Sequence, residues 1–467
     1  MIKEVQAPKG YASSDEEFVF STHIDDMKQE KLTVSHTFKN EITKVSISKK
    51  DITNDEEIAG AFLVVYNKED NSILDTWTSG SDGFNEDGTI KPHLIKGLEV
   101  GKTYYLEEVI APYGYAYANE IEFTVSDTGE IQTVEMKDEL VLGQLKWKKT
   151  GEIFNEIING TTEYGETLLP TWNISNLTGA EITIYAAEDI TIGNHTYYKA
   201  DEAIETLVSG DEDVLSKELY VGRYYYMETK VPEGYILDTT KHYFTVENNM
   251  TNELQTIESS LLNERGTFTI DMIKVLEEQE IFKNNGAYKD IIFGIYARED
   301  INYYTGELAI PAGSLIAISE IDDCGKLVNN FDLPFGKYYI KELATNSQYV
   351  LNDTEYDFEV SYKGENISHY TIKIDEDGII DNELARGEIK VIKKDSYDDT
   401  KLLTGVLFEI SINEDMSNPF ATVETDENGL ALFSELELGT YYIREAKQVN
   451  GYVINERKYR FWGRDHR

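Results

Sequence analysis

One pattern, an aromatic run followed by Glu and then a turn closing on Tyr, returns along this chain at the spacing of whole domains. It reads YYLEEVIAPYGY from Tyr104 to Tyr115, YYYMETKVPEGY from Tyr224 to Tyr235, YYIKELATNSQY from Tyr338 to Tyr349 and YYIREAKQVNGY from Tyr441 to Tyr452. A clipped copy, IKEVQAPKGY, starts at Ile2. The aligned glutamates Glu4, Glu108, Glu228, Glu342 and Glu445 lie 104, 120, 114 and 103 residues apart. Solenoid repeats have periods of about 20–50 residues, so each copy here marks a domain.

Two further segments recur around it. An alternating stretch ends in lysine: Val45, Ile47 and Lys49; Leu145, Trp147 and Lys149; Phe268, Ile270, Met272 and Lys274; Ile389, Val391 and Lys393. Side chains two apart lie on one face of a strand, so each lysine continues an apolar, core-facing row. A closing stretch aligns Val134, Met136 and Asp138, then Leu261 and Asn263, Ile380 and Asn382, and Phe38 and Asn40. Between them lie strand-like runs punctuated by Asp-Gly, Asn-Gly and Pro-Glu-Gly turns, with no convincing helical periodicity. This pattern predicts an all-β chain of tandem antiparallel β-sandwiches. The units read as 41–140, 141–265 and 266–386, preceded by the end of an earlier domain (1–40) and followed by an unfinished one (387–467). Joins of only a few residues, as from Asn263 to Gly266, predict an extended, stiff rod.

Composition narrows the function classes. The formal net charge is −44, which opposes nucleic-acid binding and docking on anionic lipid. Hydrophobic residues at 40% supply material for real cores and argue against disorder. The single cysteine, Cys324, allows neither an intrachain disulfide nor a Cys-rich metal site. The seven scattered His show no zinc spacing, and no cofactor or metal is expected. No run reaches the ~18 apolar residues of a membrane span. The first residues lack a signal-peptide apolar region; the chain is expected to start and stop inside domains.

Each complete unit places a Lys, a Glu and an Asn or Asp on core-facing positions: Lys49, Glu108 and Asp138; Lys149, Glu228 and Asn263; Lys274, Glu342 and Asn382. Buried charges must pair, neutralise or react. Desolvation lowers a buried lysine's pKa and raises a buried carboxyl's, so the amine can become a nucleophile and the acid a proton donor. An amine held against the carboxamide carbon reacts intramolecularly, with effective molarities of ~10⁵ M or more. Ammonia leaves from Asn, or water from protonated Asp, and an isopeptide bond remains. An unreacted buried Lys–Glu pair is the alternative. The opening fragment keeps Glu4 and Asn40 without a lysine, and the final one keeps Lys393 and Glu445 without an acceptor strand.

YYLEEVIAPYGY, with VSISKKD upstream and VEMKDE downstream, resembles the collagen-adhesin B-type, or SpaA-like, prealbumin-like domains of Gram-positive surface proteins. The resemblance covers essentially the whole chain. It implies an inverse immunoglobulin-like (prealbumin-like) sandwich in which a first-strand Lys bonds to a last-strand Asn or Asp, with the mid-domain Glu as catalyst. Two departures stand out. Val275-Leu276-Glu277 follow Lys274 where the other units have a Lys-Lys-Asp or Lys-Thr-Gly-Glu context. Thr345-Asn346-Ser347-Gln348 replace the Ala-Pro-x-Gly turn.

The resulting expectation is a structural stalk of a cell-wall-attached, extracellular adhesin or pilus-associated protein. Its only chemistry would be single-turnover self-cross-linking, not turnover of an external substrate. Partners would be a host or matrix protein or a glycan, met through regions outside these residues, and the cell wall through an anchor also outside them. The alternatives are an accessory stalk of a secreted, wall-attached enzyme, or a ligand-binding repeat. For the last, the insertion around Glu152–Trp172 in the second unit is the best surface. No Tyr-Pro-Lys-Asn-like pilin motif or Leu-Pro-x-Thr-Gly-like signal is present.

Overall fold

The computed structural model describes residues 1–21, 33–282, 287–328 and 331–462. Among these residues the regular structure is almost entirely strand, with one 3-10 turn at Ala287–Asp290 and no α-helix. The chain divides into two compact units, Met1–Thr150 with Asn176–Pro232 and Leu237–Asn263, and Gly151–Ser175 with Glu233–Ile236 and Glu264–Arg467.

In the first unit, one sandwich sets a four-stranded antiparallel sheet against a three-stranded one. The four strands run in the order Ile73–Thr78, Phe62–Asn67, Thr103–Ile110, Ile121–Thr124. The other sheet is ordered His93–Lys96, Lys44–Asp51, Ile131–Asp138, and its last two strands are parallel. The antiparallel expectation fails for this pair because strands joined through the whole domain are not bound to the antiparallel pairing that a short hairpin turn imposes. Alternation explains the packing: Val45, Ile47, Leu63, Val65, Leu106 and Met136 meet in one core, none more than 2% exposed. The second sandwich repeats the four-strand order with Ala203–Val208, Glu181–Ala186, Gly222–Lys230 and His242–Val246. Within this unit the turn closing the first sandwich packs on the second. Gly114 has φ +88, and a Cβ there would come within 2.8 Å of Ile192, which is buried with Tyr115 and Ile58. Glycine is therefore required twice over, by backbone and by space.

In the second unit, the third sandwich has Leu315–Glu320, Ile292–Ala297, Gly336–Ala344 and Tyr356–Val360 in the same order. The fourth has Ala421–Glu424, Leu407–Ser411, Thr440–Lys447 and Tyr459–Trp462. The lysine row of the third is broken into Thr267–Asp271 and Ile273–Leu276, each paired in parallel. Met272 and Lys274 nonetheless both stay buried, so the side-chain alternation survives the break.

The second unit also contains the insertion that the sequence offered as a ligand surface. It is the far part of a hairpin formed by Leu142–Thr162 and Gly165–Asn176. Its Phe154 enters the core of the third sandwich. Arg265 stacks on Trp172, with its guanidinium carbon 3.3 Å from the ring centre, and pairs with Glu152 and Asp332. A cavity of about 200 Å³ remains between Phe154, Trp172, Tyr235, Arg265 and Phe335.

The third and fourth sandwiches are tied by a segment that sequence reading did not single out. The Glu437 carboxylate accepts hydrogen bonds from the backbone N–H groups of Glu280, Ile281 and Phe282, the shortest at 2.6 Å. Phe282 packs into the fourth core, edge-on to Tyr441 at 5.5 Å. Arg386 pairs with Glu277 and holds that carboxyl down at about 2, helped by the Leu384 N–H.

Candidate functional site: a buried lysine, glutamate and acceptor

In the first sandwich the parallel register pairs Lys49 with Met136 and Asp51 with Asp138. Lys49 and Asp138 are therefore diagonal neighbours on one face, within reach of a long side chain. Lys49 Nζ donates to Asp138 Oδ1 and lies 2.9 Å from Glu108 Oε1, with all three side chains 1% exposed or less. Burial pushes the Asp138 carboxyl up to about 7, and Glu108 adds to the rise while Lys49 opposes it.

The third sandwich reproduces this register, pairing Lys274 with Ile380 and Leu276 with Asn382. Lys274 Nζ donates to Asn382 Oδ1 at 2.6 Å, while Asn382 Nδ2 donates to both Glu342 oxygens at 3.0 Å. Burial lowers the Lys274 pKa to about 8 against the opposing pull of Glu342. In the second sandwich Lys149 Nζ is 2.9 Å from Glu228 Oε1, and Asn263 Nδ2 donates to Glu228 Oε2 at 2.8 Å. Burial again lowers the lysine's pKa. The structure thus brings together all three sets of residues picked out by sequence.

The first and last copies differ from these three. Asn40 Nδ2 donates to Glu4 Oε2 at 2.6 Å, and no lysine joins them among the described residues. Lys393 lies 2.7 Å from Glu445, but its side chain is 20% exposed. The strand Arg386–Ile392 pairs only with Leu430–Glu437 among the described residues. A cavity of about 290 Å³ lies beside this pair, lined by Val391, Phe408 and Phe461 among others.

Two devices that hold the glutamates escaped the sequence reading. Each of Glu108, Glu228, Glu342 and Glu445 is followed by a register shift against its partner strand, opposite Leu63, Ile182, Phe293 and Phe408. Such a bulge adds one residue and re-aims the side chains beside it. Each glutamate also accepts a backbone N–H from ten residues downstream: Ala118, Asp238, Asn352 and Asn455 to Oε2 at 2.8, 2.9, 2.9 and 3.2 Å, and Ser14 to Glu4 at 2.8 Å. The constant ten-residue step is readable in sequence once the contact is known. The repeat's closing tyrosines also tie back just past the lysines, Tyr115 to Asp51 and Tyr452 to Asp395 through carboxylates, Tyr235 to Glu152 and Tyr349 to Glu277 through carbonyls.

The chain matches the SpaA prealbumin-like fold domain over residues 43–140, 173–260, 283–381 and 387–462. These segments make up well over half of its length, so the chain belongs to that family. No curated protein matches it in a sequence comparison. Among solved structures, the Bacillus anthracis TIE protein aligns at 19% identity with a TM-score of 0.50, covering 94% of this chain and 74% of that one. This agrees with the tandem β-sandwich fold. Lower overlaps include BcpA, the major pilin subunit of Bacillus cereus, at 15% identity and TM-score 0.32, covering 73% of this chain and 99% of that one. A C-terminal fragment of the pilus adhesin SpaC from Lactobacillus rhamnosus GG aligns at 16% and 0.30, covering 48% and 97%. No helix among the described residues is long and apolar enough to cross a membrane.

Proposed function

We propose that this chain is the stalk region of a Gram-positive cell-surface adhesin or pilus-associated protein, and that its three complete sandwiches cross-link themselves. The observation that carries the reading is the threefold burial of an amine, a carboxyl and a carboxamide or second carboxyl around one glutamate, with the amine on the acceptor itself in the first and third sandwiches. A buried ion pair is weak evidence for stability, because desolvation offsets the attraction. Conversion into a neutral amide removes that cost.

The chemistry balances with the chain's own atoms. In the third sandwich the neutral Lys274 Nζ attacks Asn382 Cγ. One Nζ proton passes through Glu342 to Nδ2, the Cγ–Nδ2 bond breaks, and ammonia leaves as the Nζ–Cγ amide forms. Lys149, Glu228 and Asn263 take the same roles. In the first sandwich the acceptor is protonated Asp138, so water leaves. Each glutamate stays in place by its downstream N–H while it relays the proton. No external substrate is needed and each site acts once.

The bond suits a stalk because it joins the first strand of a sandwich to its last. Tension entering at one end and leaving at the other then runs through covalent bonds and bypasses the hydrogen-bonded sheets. The surface of the organism outside the cell wall is the setting in which this matters, with the host protein, matrix component or glycan met by other regions. Intact-mass spectrometry under denaturing conditions tests the reading. The expected mass falls below the sequence mass by two ammonias and one water, and an unmodified mass refutes self-cross-linking.

A further inference from the structure

The third sandwich departs from the other two at one buried position beside the reacting atoms. Three residues after the glutamate, the first has Ala111 and the second Val231, both buried and apolar. The third has Thr345, 8% exposed, and its Oγ1 accepts a hydrogen bond from Asn382 Nδ2 at 2.9 Å. We propose that Thr345 is a further catalytic group of the third sandwich, holding the nitrogen that leaves as ammonia. The inference rests on the cross-linking reading above and adds a residue to it.

The geometry gives the hydroxyl a defined task. A carboxamide can sit either way round in its pocket. With the Lys274 amine donating to Oδ1 at 2.6 Å, the nitrogen must face the other way. There it meets acceptors on two sides, Glu342 at 3.0 Å and Thr345 at 2.9 Å. Both N–H directions of Nδ2 are thereby used, and the carbonyl is turned to the amine. The lysine here lies 3.8 Å from its glutamate, against 2.9 Å in each of the other two sandwiches. Glu342 sits closer to the leaving nitrogen than to the attacking one. A second acceptor on that nitrogen keeps it aligned while Glu342 reaches for the Nζ proton. As Cγ becomes tetrahedral, Nδ2 changes from a planar amide to an amine, takes the relayed proton and departs. Thr345 Oγ1 accepts an N–H throughout and neither gains nor loses a proton overall. Alanine and valine at the matching positions cannot do this. In the first sandwich no nitrogen leaves, since the acceptor is Asp138.

The test follows the full chain through synthesis in a reconstituted translation system. Samples are quenched in denaturant at intervals, digested, and the cross-linked and linear peptides quantified for all three sites. Thr345→Val keeps the shape and removes the hydroxyl. It is expected to slow the Lys274–Asn382 bond about tenfold, the effect of one hydrogen bond at a reacting atom. The first and second bonds, serving as internal clocks, should keep their rates. Thr345→Ser should restore the third bond, and the pH midpoint of the residual Thr345→Val rate should stay where the lysine places it. Equal rates for Thr345→Val and the unaltered chain overturn the proposal. So does a Thr345→Val defect that Thr345→Ser shares, or one that slows the other two sites equally. If the unaltered chain forms no third bond while Thr345 is intact, the cross-linking reading itself fails at that site, a result distinct from the other three.

Discussion

The first and third sandwiches share a register, a bulge and a buried lysine–glutamate pair, yet differ in whether the acceptor must carry a proton. In the first, the acceptor is a carboxyl raised to about 7 by burial, and it must hold a proton for water to leave. In the third, the acceptor is an amide that needs none, and the lysine at about 8 must lose one. Both condensations need a neutral amine, and the first needs in addition a proton kept on its acceptor. Keeping the strands and changing one acceptor atom is enough, because backbone pairing brings the lysine and the acceptor onto one face in both sandwiches.

The largest effect that breaks the comparison is removal of the glutamates. Glu108→Ala should restore one water to the intact mass and Glu342→Ala one ammonia, each leaving the other sites untouched. Loss of both masses in either variant would show that the sites are not independent. Each missing bond also reopens a long loop, 89 residues between Lys49 and Asp138 and 108 between Lys274 and Asn382. In the chain-entropy account developed for disulfides, closing a loop of that size contributes on the order of 4–5 kcal/mol. Calorimetry of the two variants should show a lowered melting transition of that order for the affected sandwich.

Asp138→Asn comes next. It should change the first site's leaving group from water to ammonia, so the deficit below the variant's own sequence mass becomes one ammonia while the cross-linked product keeps the mass of the unaltered one. It should also bring the site's pH response toward that of the third. The unaltered pair sharpens the point. The rate of the first bond should stop climbing once pH passes about 7, where depletion of the Asp138 acid form offsets the gain in neutral amine. The third should climb as pH approaches about 8 and level off above, once the amine is neutral. Time courses of the two cross-linked peptides at pH 6 and pH 9, values chosen to bracket those of about 7 and about 8, decide this; parallel profiles would contradict the assignment of the acceptors.

The smallest effect concerns how each sandwich ends. The first closes on the glycine turn that seats Ile192, whereas the third lacks that turn and lends Phe282 to the fourth core. Phe282→Ala should destabilise the fourth sandwich by about 2 kcal/mol, below the usual range for a fully buried Phe because the ring is only partly covered. Thermal or denaturant unfolding with the transition of the fourth sandwich resolved would measure it, and no change would show the contact to be incidental.

Much of the site is legible in the sequence. Strand alternation placed Lys49, Lys149 and Lys274 in the core rows, and the structure buries all three; the same parity put Asp138, Asn263 and Asn382 inside. The break at Met272 left this intact, since burial follows side-chain parity and not the continuity of a hydrogen-bond ladder. The Thr345–Gln348 departure was visible but read only as a changed turn, because nothing in one sequence says that a hydroxyl there meets an amide 37 residues away.

The sequence by itself determined which residues are candidates, because a period of two decides which side chains face a core and the repeat decides which of them recur together. Only the tertiary structure decided that they meet. The parallel pairing sets Lys49 diagonal to Asp138 and Lys274 diagonal to Asn382. The bulge after each glutamate and the N–H ten residues downstream fix where the carboxylate points. Register depends on contacts between segments 89 and 108 residues apart, and each bulge on a partner strand several turns upstream, such as Leu63 for Glu108 and Phe293 for Glu342; no local pattern encodes those distances.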